Sequence, residues 1–110
     1  MTINITHRGI ELTPAITAYI EEKMTLLARY EERLEHLDVE VGMTSNHHQK
    51  GDIFFCKVVA AVQGDVLRLE KEEEDLYKAI DKVKDHLRLE LAERKDRIRE
   101  RSQGKGVQEE

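Results

Sequence analysis

From Asp75 to about Arg101, apolar side chains recur at Leu76, Ile80, Val83, Leu87, Leu91 and Ile98. This three-and-four spacing lines one stripe of an α-helix, with charged residues around the remainder. The acidic run Glu70, Glu72, Glu73, Glu74 and Asp75 is expected at the positive end of that helix's dipole, while Arg94, Lys95, Arg97, Arg99 and Arg101 crowd the end that favours cations. A second helical stripe, Ile16, Tyr19, Ile20, Met24 and Leu27, predicts a helix from Pro14 to about Tyr30. Thr13-Pro14 opens it, because the hydroxyl can cap a free N–H and proline at the first helical position lacks the donor that would go unmet.

The remaining patterns alternate. Thr2 to Thr6 sets Ile3 and Ile5 against Asn4 and Thr6, a first strand with His7-Arg8-Gly9 as the following turn. Leu37 to Met43 reads as a strand with one buried face, and Ile53 to Val62 as a third strand with apolar residues in both phases. Gln63-Gly64-Asp65 turns the chain into a fourth strand, Val66 to Leu69. The order β-α-β-β-β-α predicts an α+β two-layer sandwich. Its four-stranded sheet carries two helices on one face, as in double-stranded-RNA-binding domains. Residues 1–101 form this single domain, and the small polar stretch 102–110 is expected to be a disordered tail.

Composition narrows the function classes. A chain of 110 residues has room for one core. No stretch approaches the roughly 20 apolar residues of a membrane span, and no secretory leader opens the chain, so the address expected is cytoplasmic. Cys56 is alone, which excludes an internal disulfide. A net charge of −5 excludes indiscriminate coating of nucleic acid. Charge is nevertheless uneven: residues 78–101 hold nine basic and six acidic groups, a net +3 that leaves −8 on the rest of the chain.

Candidate chemistry is sparse, with no Gly-rich phosphate loop, nucleophile elbow or His-x-x-x-His pair, so no enzyme activity, cofactor, metal or small-molecule substrate is expected. The abundant carboxylates fit helical ion pairs such as Glu74 with Lys78, Glu90 with Arg94 and Glu93 with Arg97. His47 and His48 read as an exposed loop, and Cys56 as a small core residue. The second face of the third strand, with Ile53, Phe55, Val59 and Ala61, is either covered by loops or available for self-association, giving a monomer or weak dimer. On the last helix, Lys78, Lys82, His86 and Arg97 follow one flank of the apolar stripe; Lys84, Arg88, Lys95 and Arg99 follow the other. Two such rows fit a phosphate-binding surface and a solvated helix equally well.

Met1-Thr-Ile-Asn-Ile-Thr6, Ile10-Glu-Leu-Thr-Pro-Ala-Ile16, Tyr19-Ile-Glu-Glu-Lys23 and Asp75-Leu-Tyr-Lys-Ala-Ile-Asp81 resemble the short ribosome hibernation-promoting factor and ribosome-associated inhibitor family, also called sigma-54 modulation proteins. The resemblance spans residues 1 to about 100. It implies a protein that binds rRNA of the small ribosomal subunit and covers the channel for mRNA and tRNA in starved or stationary cells. The expected rRNA-binding residues are Lys23, Lys78, Lys82, His86, Arg94, Lys95 and Arg97. Lys23, Lys95 and Arg97 fall at basic positions of the family pattern, and His86 falls where lysine is common. Thr17, Leu26, Leu89 and Glu93 depart from usually basic positions. The long family members carry a further domain that pairs ribosomes, which this sequence is too short to include. Its Val107-Gln-Glu-Glu110 ending resembles the acidic tail of the inhibitor subtype. A free RNA-binding module and a sigma-factor modulator are the alternatives.

Overall fold

The computed structural model describes residues 1–44 and 51–108, without the side chains of 101–108. The elements are β1 (Thr2–Arg8), α1 (Pro14–Tyr30), β2 (Leu34–Met43), β3 (Phe54–Val62), β4 (Asp65–Glu73) and α2 (Leu76–Gln108). The four strands form one sheet in the order β1-β2-β3-β4, with β1 parallel to β2 and the other neighbours antiparallel. The parallel pair follows from α1, which crosses over between β1 and β2.

One face of the sheet meets the helices. Register puts Ile3, Ile5, Leu37, Val39, Cys56, Val58, Ala60, Leu67 and Leu69 on that face. They pack with Ile20, Met24 and Leu27 of α1 and with Leu76, Ile80, Val83, Leu87 and Leu91 of α2 as one hydrophobic core. The expected two-layer α+β sandwich, with both helices on one side, is what the chain forms. Cys56 is enclosed in this core, where burial pushes its thiol up to about 12.

Local signals set the element ends. The Thr13 hydroxyl accepts from Ile16 N–H at 3.2 Å with proline in the first turn. Asp75 caps α2, its Oδ1 accepting from the backbone N–H of Tyr77 at 2.7 Å and of Lys78 at 3.3 Å. The β3–β4 turn places Gln63 at φ 46° and Gly64 at φ 88°, the left-handed pair that matches strand twist in a tight hairpin.

Several boundaries differ from the sequence reading. β1 continues through His7 and Arg8, and β2 begins at Leu34 with a register shift before His36. β4 extends to Glu73, so Glu70, Glu72 and Glu73 belong to a strand; of the acidic run, Asp75 is the residue that caps the helix. The pairing Cys56↔Lys71 and Phe54↔Glu73 along β3 extends the strand past the last apolar residue, Leu69. The backbone of α2 continues to Gln108. Glu109, Glu110 and the side chains of the expected tail lie outside the described residues, as do His47 and His48.

The other sheet face is a charged mosaic. Its rows are Thr2, Asn4, Thr6 and Arg8; His36, Asp38, Glu40 and Gly42; Phe55, Lys57, Val59 and Ala61; and Val66, Arg68, Glu70 and Glu72. Lys57 stands between Glu40 and Glu70, a cross-strand arrangement that pairs opposite charges. Phe55 is buried even on this side. The Arg8 guanidinium lies 4.9 Å from its ring centroid, and Gly42 makes room, since a Cβ there would come within 2.8 Å of the ring and 2.1 Å of the Arg8 carbonyl oxygen. Val59 and Ala61 are half-buried and Val66 is exposed, so little continuous apolar surface remains.

Candidate nucleic-acid interface

The helices lie side by side and run in the same direction. Near the start of both, the Tyr19 hydroxyl donates to Asp81 Oδ1 at 2.7 Å, and the Tyr19 and Tyr77 rings meet edge to face with centroids 4.7 Å apart. Near the end of α1, Arg88 and Lys95 of α2 lie 5.5 and 5.0 Å from the Tyr30 ring centroid. Contacts therefore advance together along both helices.

The seam between the helices is polar and cationic. On α1 it is lined by Tyr19, Lys23, Leu26 and Tyr30, and on α2 by Tyr77, Asp81, Lys84, Arg88 and Lys95. The Lys23 ammonium lies 5.1 Å from the Tyr19 ring centroid, and Lys95 Nζ donates to the Tyr30 carbonyl oxygen at 3.3 Å. Aromatic faces attract these cations and hold them above the core. Within the seam, Asp81 accepts the Tyr19 hydroxyl. Asp81 is also the first cause of the rise of the Tyr19 phenol to about 12: its hydrogen bond comes first, then burial, then the charges of Asp81, Glu22 and Asp75.

The seven residues expected to face rRNA do not form one surface. Lys23 and Lys95 meet the seam. Lys78 and Arg97 are exposed on α2. Lys82 is turned toward β4 and ion-paired with Glu73. His86 approaches Glu90 at 3.8 Å, and its Nδ1 is buried without a partner.

Arg94 departs from the expectation altogether. It is 4% exposed, donating to Asp65 Oδ2 at 2.7 Å and to Gln63 Oε1 at 3.4 Å. The expected Glu90–Arg94 pair is thereby replaced by a tie to the β3–β4 turn. The reason is visible in the spacing: Leu76, Ile80, Val83, Leu87, Leu91, Arg94 and Ile98 form one unbroken three-and-four series, and Arg94 holds an interior place in it.

Lys84 and Arg88, on the second flank of α2, and Arg29 of α1 are not among the residues the sequence singles out for the site. The signal that finds Lys84 and Arg88 is a second helical series beside the apolar one, Tyr19, Lys23, Leu26 and Tyr30 on α1 with Tyr77, Asp81, Lys84 and Arg88 on α2, whereas Arg29 lies outside that series. Among the described residues no cluster of His, Cys, Asp and Glu is arranged to hold a metal ion, and no helix is long and apolar enough to cross a membrane.

The fold defines a double-stranded-RNA-binding-like α+β sandwich, and solved structures share it. The Thermus thermophilus Protein Y N-terminal domain aligns with TM-score 0.70 and 29% identity over 82% of this chain and 94% of that one. A ribosomal subunit interface protein from Coxiella burnetii shares the fold with TM-score 0.73 at 17% identity, over 87% and 99% of the two chains. Residues 3–99 match the family described as sigma 54 modulation protein / S30EA ribosomal protein, and the chain belongs to that family. The ribosome hibernation promoting factor of Azotobacter vinelandii is 33% identical over 94% of this chain and 92% of its own length. That of Salmonella typhimurium is 27% identical over 91% and 99%. Against the ribosome hibernation promotion factor of Deinococcus radiodurans, 31% identical over 89% of this chain, the match spans about half the relative's length, 51%.

Proposed function

We propose that this protein is a cytoplasmic ribosome-associated hibernation factor. It binds the small ribosomal subunit through rRNA and silences translation by occupying the mRNA and tRNA channel, with no reaction catalysed. The carrying observation is the seam: Lys23, Lys84, Arg88 and Lys95 converge along two parallel helices of a family member whose net charge is −5. Cations fixed on a rigid helix pair suit an RNA recognised by its backbone and shape more than by its sequence. Lys78 and Arg97 on the exposed side of α2, with Lys82 and His86 on its β4-facing flank, extend the contact, while Arg94 serves the core.

Co-sedimentation with small ribosomal subunits at graded salt tests this reading. With about four phosphates neutralised, the binding constant should fall with a log–log slope of roughly −3. Lys84→Glu combined with Arg88→Glu should abolish both binding and inhibition of in vitro translation while preserving the fold by circular dichroism. Absence of binding at low salt overturns the reading.

A further inference from the structure

The helix seam is closed at both ends and open in the middle. The Tyr19–Asp81 hydrogen bond and the Tyr19–Tyr77 contact close one end, and the Lys95 bond to the Tyr30 carbonyl closes the other. Between them is a cavity of about 320 Å³ lined by Leu26, Leu27, Arg29, Tyr30, Lys84 and Arg88. Its floor is apolar, and Leu26 is 43% exposed there, a large aliphatic side chain among cations. Its rim is the three cations Arg29, Lys84 and Arg88. Lys84 Nζ also lies 3.0 Å from Oδ1 of its chain neighbour Asp85.

An apolar floor beneath a cationic rim matches a molecule with a flat hydrophobic body and an anionic group, which is the chemistry of a nucleotide. A row of cations serving the phosphate backbone alone gains nothing from Leu26. We infer that the cavity seats one unstacked nucleotide of the RNA that the seam binds, its base on Leu26 and the Arg88 guanidinium and its phosphate on Arg29 and Lys84. Unstacked bases of single-stranded RNA are commonly held this way, on side-chain planes beside a charged groove. The inference rests on the RNA-binding reading above and adds to it a base-sized subsite.

Leu26→Ala separates the two, because it keeps every charge and, being partly exposed, leaves the core intact. With the base seated on Leu26, the variant should bind small subunits about fivefold more weakly than the parent, at an unchanged salt slope. Equal affinity of parent and variant overturns the subsite and leaves the ribosome reading standing. A parent chain that fails to sediment overturns the ribosome reading instead. The subsite is then judged by methyl NMR of the full chain titrated with adenosine 5′-monophosphate and ribose 5-phosphate. Adenosine 5′-monophosphate should shift the Leu26 and Leu27 methyl signals and ribose 5-phosphate should not, with a single-stranded oligoadenylate competing the nucleotide away. Indifference of those methyls to the nucleotide, or a nucleotide shift that the oligomer does not compete, overturns the assignment to RNA.

Discussion

Tyr19 joins the two helices through one hydroxyl. Because its hydroxyl donates a hydrogen bond to the Asp81 carboxylate, the phenol is pushed up to about 12 from its ordinary value of 10. A group whose folded-state value is raised binds its proton more tightly in the native chain. Its contribution to stability is therefore complete below pH 10 and is lost as pH rises from 10 to 12. Tyr19→Phe should remove that part of the alkaline loss, read as the difference between the two proteins' melting temperatures across this range, and should cost about 1 kcal/mol at neutral pH. Arg94 presents the opposite case, a charged side chain sunk in a helix–sheet core whose acidic partner, Asp65, stands largely in water. Its Nη1 is buried with no partner. Arg94→Met should therefore be close to neutral in stability, since it fills the same place in the stripe without a desolvated charge. Asp65→Asn, which leaves the guanidinium buried, should cost about 1–3 kcal/mol in a denaturant melt. If Arg94 met RNA, Arg94→Met would weaken ribosome binding; the expected result is no change.

Among the elements, α2 decides which cations are free. Its outer and β4-facing residues meet carboxylates of the same chain, Lys82 with Glu73 and His86 with Glu90. A phosphate approaching Lys82 has to compete with Glu73. Glu73→Gln should accordingly strengthen binding at low salt by about two- to threefold, the size of an exposed ion pair, with the gain vanishing at high salt. Both helices and all four strands were legible in the sequence, because hydrophobic periodicity reports which faces are buried. The extensions were less legible. Lys71, Glu72 and Glu73 carry no apolar alternation and are strand because β3 offers them partners. The site was legible as a basic helix and not as a seam. Periodicity identifies residues on one helix flank, whereas the neighbour of that flank depends on α1 lying parallel to α2. Charge alone suggests that Arg94 is a surface cation, whereas its position in the apolar series points inward.

For the whole molecule, the two sheet faces divide the work. One carries the helices and their cations; the other pairs acidic and basic rows across strands and shields Phe55 beneath Arg8. Such a surface offers little for self-association, so light scattering at high concentration should return a monomer mass. Lys95 adds a link between binding and folding. Its ammonium holds the Tyr30 carbonyl, one of the last acceptors of α1, and so acts as the terminal clasp of that helix. A phosphate that draws Lys95 off the Tyr30 carbonyl removes this clasp, so its net gain from Lys95 is reduced by what the clasp contributes to the end of α1. Bound to the ribosome, the last turn of α1 should exchange its amide protons faster than in the free protein, so that tightening at the interface is read as loosening one helix end away from it.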